Sequence, residues 1–124
     1  MQLASRLLLF LNKLISPREE SIYLFEHHFF DLKYYLNPIA SEQNFAQQLN
    51  ITVEKLNLIS QYYYNNSFEF LINEKRYQYF LKEMQNPLNA NLSVHSILNL
   101  CGFGSSSCFV DFIDSRNKIL YAAS

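Results

Sequence analysis

Leu92-Ser93-Val94-His95-Ser96-Ile97-Leu98-Asn99-Leu100-Cys101-Gly102-Phe103-Gly104-Ser105-Ser106-Ser107-Cys108-Phe109 reads as two helices hinged on a turn. Ser93 is placed to cap a short helix carrying Val94, Ile97 and Leu98, because a serine hydroxyl accepts from a free N–H of the first turn. Gly102 breaks that helix by supplying the positive φ that side chains with a Cβ resist. Ser105 then caps a further helix carrying Phe109, Phe112 and Ile113.

Upstream, the same outline occurs again. Ser41, followed by Gln43-Asn44, opens a helix with Phe45, Ala46 and Leu49, and the turn Asn50-Ile51-Thr52 offers Thr52 as cap for a helix from Val53 to about Tyr63. Asn65-Asn66-Ser67 is a second break. One long helix, Phe68 to Gln85, then joins the two outlines, offers Phe70, Leu71, Tyr77, Phe80, Leu81 and Met84 for packing, and stops at Asn86-Pro87.

Ahead of both outlines, a helix is expected from about Leu3 to Ile15. Ser16-Pro17-Arg18-Glu19-Glu20 starts another, with Ser16 as cap, Pro17 at the first helical position and acids facing the dipole, and Asn37-Pro38 ends it. On that helix Ile22, Phe25, Phe29, Leu32 and Leu36 recur at intervals of three and four and form one stripe, beside a second ridge of Tyr23, Phe30 and Tyr34.

Strand signals are nearly absent: two glycines, no Asn-Gly or Asp-Gly pair, and few strictly alternating stretches. The expected fold is all-α, with two helix-turn-helix units joined by a long linker helix and preceded by two N-terminal helices. Residues 1–40 form the helical extension and residues 41–124 the double unit.

A chain of 124 residues, 49% hydrophobic and 16% aromatic, can bury a real core. The apolar run Leu7 to Leu11 is broken by Asn12 and Lys13, short of the ~20 residues of a spanning helix. No small-residue cleavage site follows it, so neither a membrane anchor nor a leader is expected. Cys101 and Cys108 are too few for a disulfide framework and lack zinc-site partners, which points to structural thiols in a reduced, cytoplasmic setting. His27 and His28 are adjacent and point about 100° apart on a helix, unlike the i, i+4 pairs that chelate metal, and His95 stands alone. No nucleophile has a base and an orienting group beside it, and no Gly-rich phosphate loop occurs, so neither an enzyme nor a cofactor is expected.

The segment Leu92 to Phe109 resembles the second helix-turn-helix of the AraC family of transcription regulators, in which an Ile-Ala pair precedes Cys-Gly-Phe and a Ser-Tyr-Phe-like run; here Cys101-Gly102-Phe103 and Ser107-x-Phe109 keep that spacing. Ala46, Leu49, Thr52 and Leu56 correspond to the alanine, leucine, cap and core leucine of the family's first unit. Phe68 and Arg76 fit its phenylalanine and linker-helix arginine, and the match runs from about Ser41 to Tyr121. The resemblance implies a sequence-specific regulator that places two recognition helices in successive major-groove segments of double-stranded DNA. On that reading Lys55, Asn57 and Gln61 belong to the first recognition helix, Lys55 and Asn57 reaching base edges. Ser105, Ser106 and Ser107 hold phosphates or bases at the start of the second, and Arg76 or Lys82 touches the DNA backbone, although Arg76 also suits a brace within the linker helix.

The departures fall where DNA chemistry would lie. The second unit shows Val110, Asp111, Ile113 and Asp114 where the family carries basic or amide side chains, and carboxylates repel a polyanion. Glu54, Lys55, Asn57 and Gln61 give the first helix a single cation. From Glu42 onward six basic residues face seven acidic ones, and the whole chain has a formal charge of -1. The family's glycine and proline after the last helix are also missing, with Lys118 and Tyr121 nearest those positions. The alternative is a protein-interaction module that keeps the fold without DNA affinity. For it, the N-terminal helices have apolar surface enough either to cover the double unit or to pair two copies as a homodimer. The 40 or so leading residues are too few for the effector-binding barrel that family members often carry, so the chain is either one piece of a longer regulator or regulated elsewhere.

Overall fold

The computed structural model describes residues 20–123, with side chains through residue 120, and is all helical, with no strand among the described residues. Six α-helices are described: α1 (Glu20–Glu26), α2 (Glu42–Leu49), α3 (Val53–Tyr64), α4 (Phe68–Met84), α5 (Val94–Leu100) and α6 (Ser106–Ala123). None of them is long and apolar enough to cross a membrane. The helix expected over Leu3 to Ile15, and the Ser16-Pro17 start of the next, lie outside the described residues. The chain falls into two compact units, residues 20–34 with Ala40–Glu69, and Tyr35–Ile39 with residues 70–123, so the expected 1–40 extension contributes to both.

The first unit is built on phenylalanine. Phe25, Phe29, Phe45 and Phe68 are fully buried. Phe45 stacks on Phe68 with ring centroids 5.0 Å apart and meets Phe25 edge-on at 5.4 Å, the two arrangements that the ring quadrupole favours. Ala46 is buried beside them, where a methyl allows close approach of helices, and Leu56 and Ile59 of α3 complete the core.

Local chemistry sets the helix ends. Ser41 Oγ accepts from Asn44 N at 3.0 Å, and Thr52 Oγ1 accepts from Lys55 N at 3.1 Å. Asn50 (φ 58°) and Asn65 (φ 59°) close α2 and α3 in the left-handed region that asparagine tolerates better than other side chains with a Cβ. Ile51 N reaches back to Ala46 O at 3.0 Å, the six-to-one bond of a Schellman closure.

The helix expected to run to Asn37-Pro38 ends sooner. After α1 the backbone widens into a π turn, His27–Asp31, closed by Leu32 N on His27 O at 3.0 Å, and Lys33 then takes φ 55°. The wider turn shifts the register by one residue. Ile22, Phe25 and Phe29 stay on the buried stripe, but Leu32 comes out 59% exposed and Tyr34 takes the next core position. The Tyr34 hydroxyl accepts from Ser41 N at 3.1 Å and donates to Ser41 O at 3.3 Å, which ties the end of this segment to the start of α2.

In the second unit Phe80, Ile97, Leu98, Cys101, Phe103 and Phe112 form the core, with Phe70, Tyr77, Tyr79, Phe109 and Ile113 packed against it. Two residues expected to pack along α4, Leu81 and Met84, are exposed, whereas Ile72 is buried. The covered stripe of α4 here follows Ile72, Arg76 and Phe80 at intervals of four and ends before Met84, with Leu81 off it. Asn86 Oδ1 accepts from Leu88 N at 3.0 Å, and Pro87–Asn89 forms one 3-10 turn after α4.

Gly102 carries φ 91°, and a Cβ there would stand 2.7 Å from Tyr35 O and 2.8 Å from Arg76 Nε. Phe103 N bonds Leu98 O at 3.1 Å to finish α5, and the Phe103 ring meets Phe109 edge-on at 5.3 Å, pinning the first turn of α6.

Candidate nucleic-acid interface

At 100° per residue, the exposed residues of α3 fall on one arc. Leu58, 69% exposed, stands at its centre, with Glu54, Lys55, Gln61 and Tyr62 all exposed within about 60° of it. Leu56, Ile59 and Ser60 lie on the opposite side and are buried; Ser60 satisfies its hydroxyl by donating to Leu56 O at 3.0 Å. Lys55 and Gln61 therefore project outward together, while Asn57 is half-buried at the edge of the arc. Leu58 and Tyr62 were missed in the sequence because apolar side chains read as core. The signal was present in the spacing: a core stripe through Leu56, Ile59 and Tyr63 leaves Leu58 on the far side.

On α6 the exposed arc has a different character. Ser107, Val110, Asp111, Asp114 and Lys118 are exposed and cluster within about 60° of Asp114, opposite the side that buries Phe112. Two carboxylates and one ammonium thus occupy the outward side. Ser105 is held as a cap, its Oγ accepting from Cys108 N at 3.2 Å and sharing a hydrogen bond with Ser107 Oγ at 3.1 Å. Ser106 and Ser107 are exposed.

Arg76, expected either on the DNA backbone or as a brace, is buried within the second unit. Its Nε donates to Tyr35 O at 2.6 Å and its Nη2 to Asn37 O at 2.8 Å, while the guanidinium carbon lies 5.9 Å from the Phe103 ring centroid. The planar fork spans two backbone carbonyls that leave its N–H groups little to offer outward. Arg116 is also engaged inside the unit: its Nε donates to Glu74 Oε2 at 2.8 Å, its Nη2 to Glu74 Oε1 at 3.2 Å, and it lies over Tyr77. The hydrogen bond to Glu74 raises its pKa from the ordinary guanidinium value.

Cys101 is fully buried, and burial, then the Glu83 charge, pushes its thiol up to about 11, whereas Cys108 is exposed. His27 faces Asp31 at 3.4 Å and His28 faces Gln48 at 3.1 Å, so the two neighbouring imidazoles have separate partners. Among the described residues no three His, Cys, Asp or Glu side chains converge as metal ligation requires. No family model, characterised protein or solved structure matches the chain.

Proposed function

We propose that this chain is a sequence-specific DNA-binding transcription regulator of the AraC type, in which α2–α3 and α5–α6 act as helix-turn-helix units and α4 as the linker helix. The observation that carries this reading is the outward arc of α3, where Lys55 and Gln61 stand exposed on a helix held by the Thr52 cap and the Asn50 turn. A helix with one buried side and one exposed side is what a major groove accepts. Ser106 and Ser107 at the start of α6 add hydroxyl and N–H donors for a phosphate.

The test is a salt titration of the whole protein on random-sequence duplex DNA, beginning near 50 mM. Each phosphate neutralised adds about 0.9 to the slope of log affinity against log salt. A measurable slope is expected, and unchanged mobility of the DNA at the lowest salt overturns the reading.

Asp111 and Asp114 favour a second reading, a protein-interaction module with the same fold, because their carboxylates sit where the second unit would meet phosphate. This reading expects no DNA shift and a dimer or hetero-complex in sedimentation; a strictly monomeric protein that shifts DNA excludes it.

A further inference from the structure

We propose that α3 reads A·T base pairs through Leu58, whose side chain packs on the C5-methyl of thymine while Gln61 addresses the adenine edge. The inference rests on the DNA-binding reading and names what its first helix recognises.

Leu58, 69% exposed, stands at the angular middle of the arc on α3, beside Tyr62 at 81%, and the middle of an arc laid into a groove faces its floor. The major-groove floor offers an apolar partner only at thymine, whose methyl is the one hydrocarbon on a base edge there; adenine presents the N7 acceptor and N6 donor that an amide matches bidentately. Gln61 follows Leu58 by three residues on the same exposed side, so the amide stands one turn along from the leucine. Glu54 and Lys55 share the arc with opposite charges, so together they add no net attraction to phosphate.

The extent of the arc suits base readout by one helix. Leu58 and Tyr62 are the exposed large apolar residues of α3, and together they present on the order of a few hundred Å². Base readout by one helix needs only three or four side chains, a number that this arc supplies.

The experiment uses the full chain and fluorescence anisotropy at low salt, with three duplexes about two helical turns long: mixed A·T pairs, the same sequence with deoxyuridine replacing every thymidine, and mixed G·C pairs. Removing the methyl in the DNA is expected to weaken binding about fourfold, the worth of one buried methyl-sized group, and the G·C duplex binds more weakly than the A·T duplex. Leu58→Ala is expected to bind the thymine and uracil duplexes alike. Because Leu58 is exposed, this variant keeps its thermal midpoint, and the comparison on the unmodified protein needs no variant at all. Equal binding of the thymine and uracil duplexes overturns this inference and leaves DNA binding standing. A fourfold preference that survives in Leu58→Ala overturns it too, since the preference then comes from DNA shape. Failure to bind any of the three overturns the DNA reading itself.

Discussion

Replacing Arg76 by alanine removes a side chain that bonds the backbone carbonyls of both Tyr35 and Asn37. Hydrogen bonds from a charged donor contribute about 1.5–3 kcal/mol each, and the two here are 2.6 and 2.8 Å long in a residue only 9% exposed. Water can reach the carbonyls once the side chain is gone, so the lower end of that range applies, and Arg76→Ala should destabilise by about 3–4 kcal/mol. Arg76→Lys keeps the charge but offers a single ammonium where a planar fork bridged two acceptors, and should cost about half as much. Against a typical stability of about 5–15 kcal/mol, the alanine loss is severe. Urea denaturation followed by far-ultraviolet circular dichroism measures it directly: with a slope of about 1.5–2 kcal/mol per molar, the midpoint should fall by about 2 M at unchanged slope. A loss under about 1 kcal/mol, with DNA affinity reduced evenly across sequences, would refute the brace and restore Arg76 to the DNA backbone.

Gly102→Ala strikes the same place from the other side, since its Cβ would meet Tyr35 O at 2.7 Å at φ 91°. It should cost about 2–4 kcal/mol in thermal or urea melts, and a neutral result would mean that the Tyr35 segment yields easily. Ellman's reagent should titrate one thiol of the native protein, Cys108, and reach Cys101 only on unfolding; two fast thiols would contradict the burial of Cys101. With its thiol held protonated up to about 11 against an ordinary 9.0, Cys101 favours the folded state below pH 9 and loses that contribution as pH rises from about 9 to about 11. Urea midpoints across that window should decline less in Cys101→Ala. On α6, Asp111→Asn with Asp114→Asn should raise affinity for random duplex DNA about fivefold near 50 mM salt, from roughly 0.5 kcal/mol of repulsion per carboxylate about 7 Å from phosphate in water. No change at the lowest salt would remove α6 from the DNA surface.

The punctuation of this chain was legible because each signal is local. Ser41, Thr52 and Ser93 accept from the first turns they were expected to cap, and Gly102 takes the positive φ its position called for. These are contacts between neighbours in sequence, so residue type and spacing suffice. The π turn at His27–Asp31 was not legible: an i, i+5 bond in place of i, i+4 leaves no mark in an apolar periodicity that continues through Leu32. Arg76 was ambiguous for a related reason. An arginine on a helix looks the same whether it bonds a phosphate or a carbonyl of Tyr35, which lies 41 residues away in sequence. On α3, Lys55 and Gln61 were legible as outward residues, but Leu58 was hidden by its own chemistry, since an isolated leucine is assigned to a core until the rest of the core is known.

The two outward helices show how little the scaffold constrains what it presents. α2 and α5 each end in a Schellman closure, on left-handed Asn50 and on Gly102, and the turn that follows each delivers a hydroxyl cap, Thr52 for α3 and Ser105 for α6. These devices use backbone groups, hydroxyl caps and core phenylalanines, and the side chains at the middle of the outward arcs, Leu58 and Asp114, take no part in them. Leucine ringed by lysine, glutamine, tyrosine and glutamate can therefore stand on α3 while two aspartates stand on α6, with no cost to either unit's core. The stability of such a chain and its choice of partner vary independently. A substitution at Arg76 or Gly102 should then lower stability and affect DNA only through the folded fraction, whereas one at Leu58, Asp111 or Asp114 should change binding at constant stability. A Leu58→Ala protein that lost several kcal/mol of stability would break that separation, because a side chain 69% exposed has too little buried area to account for such a loss.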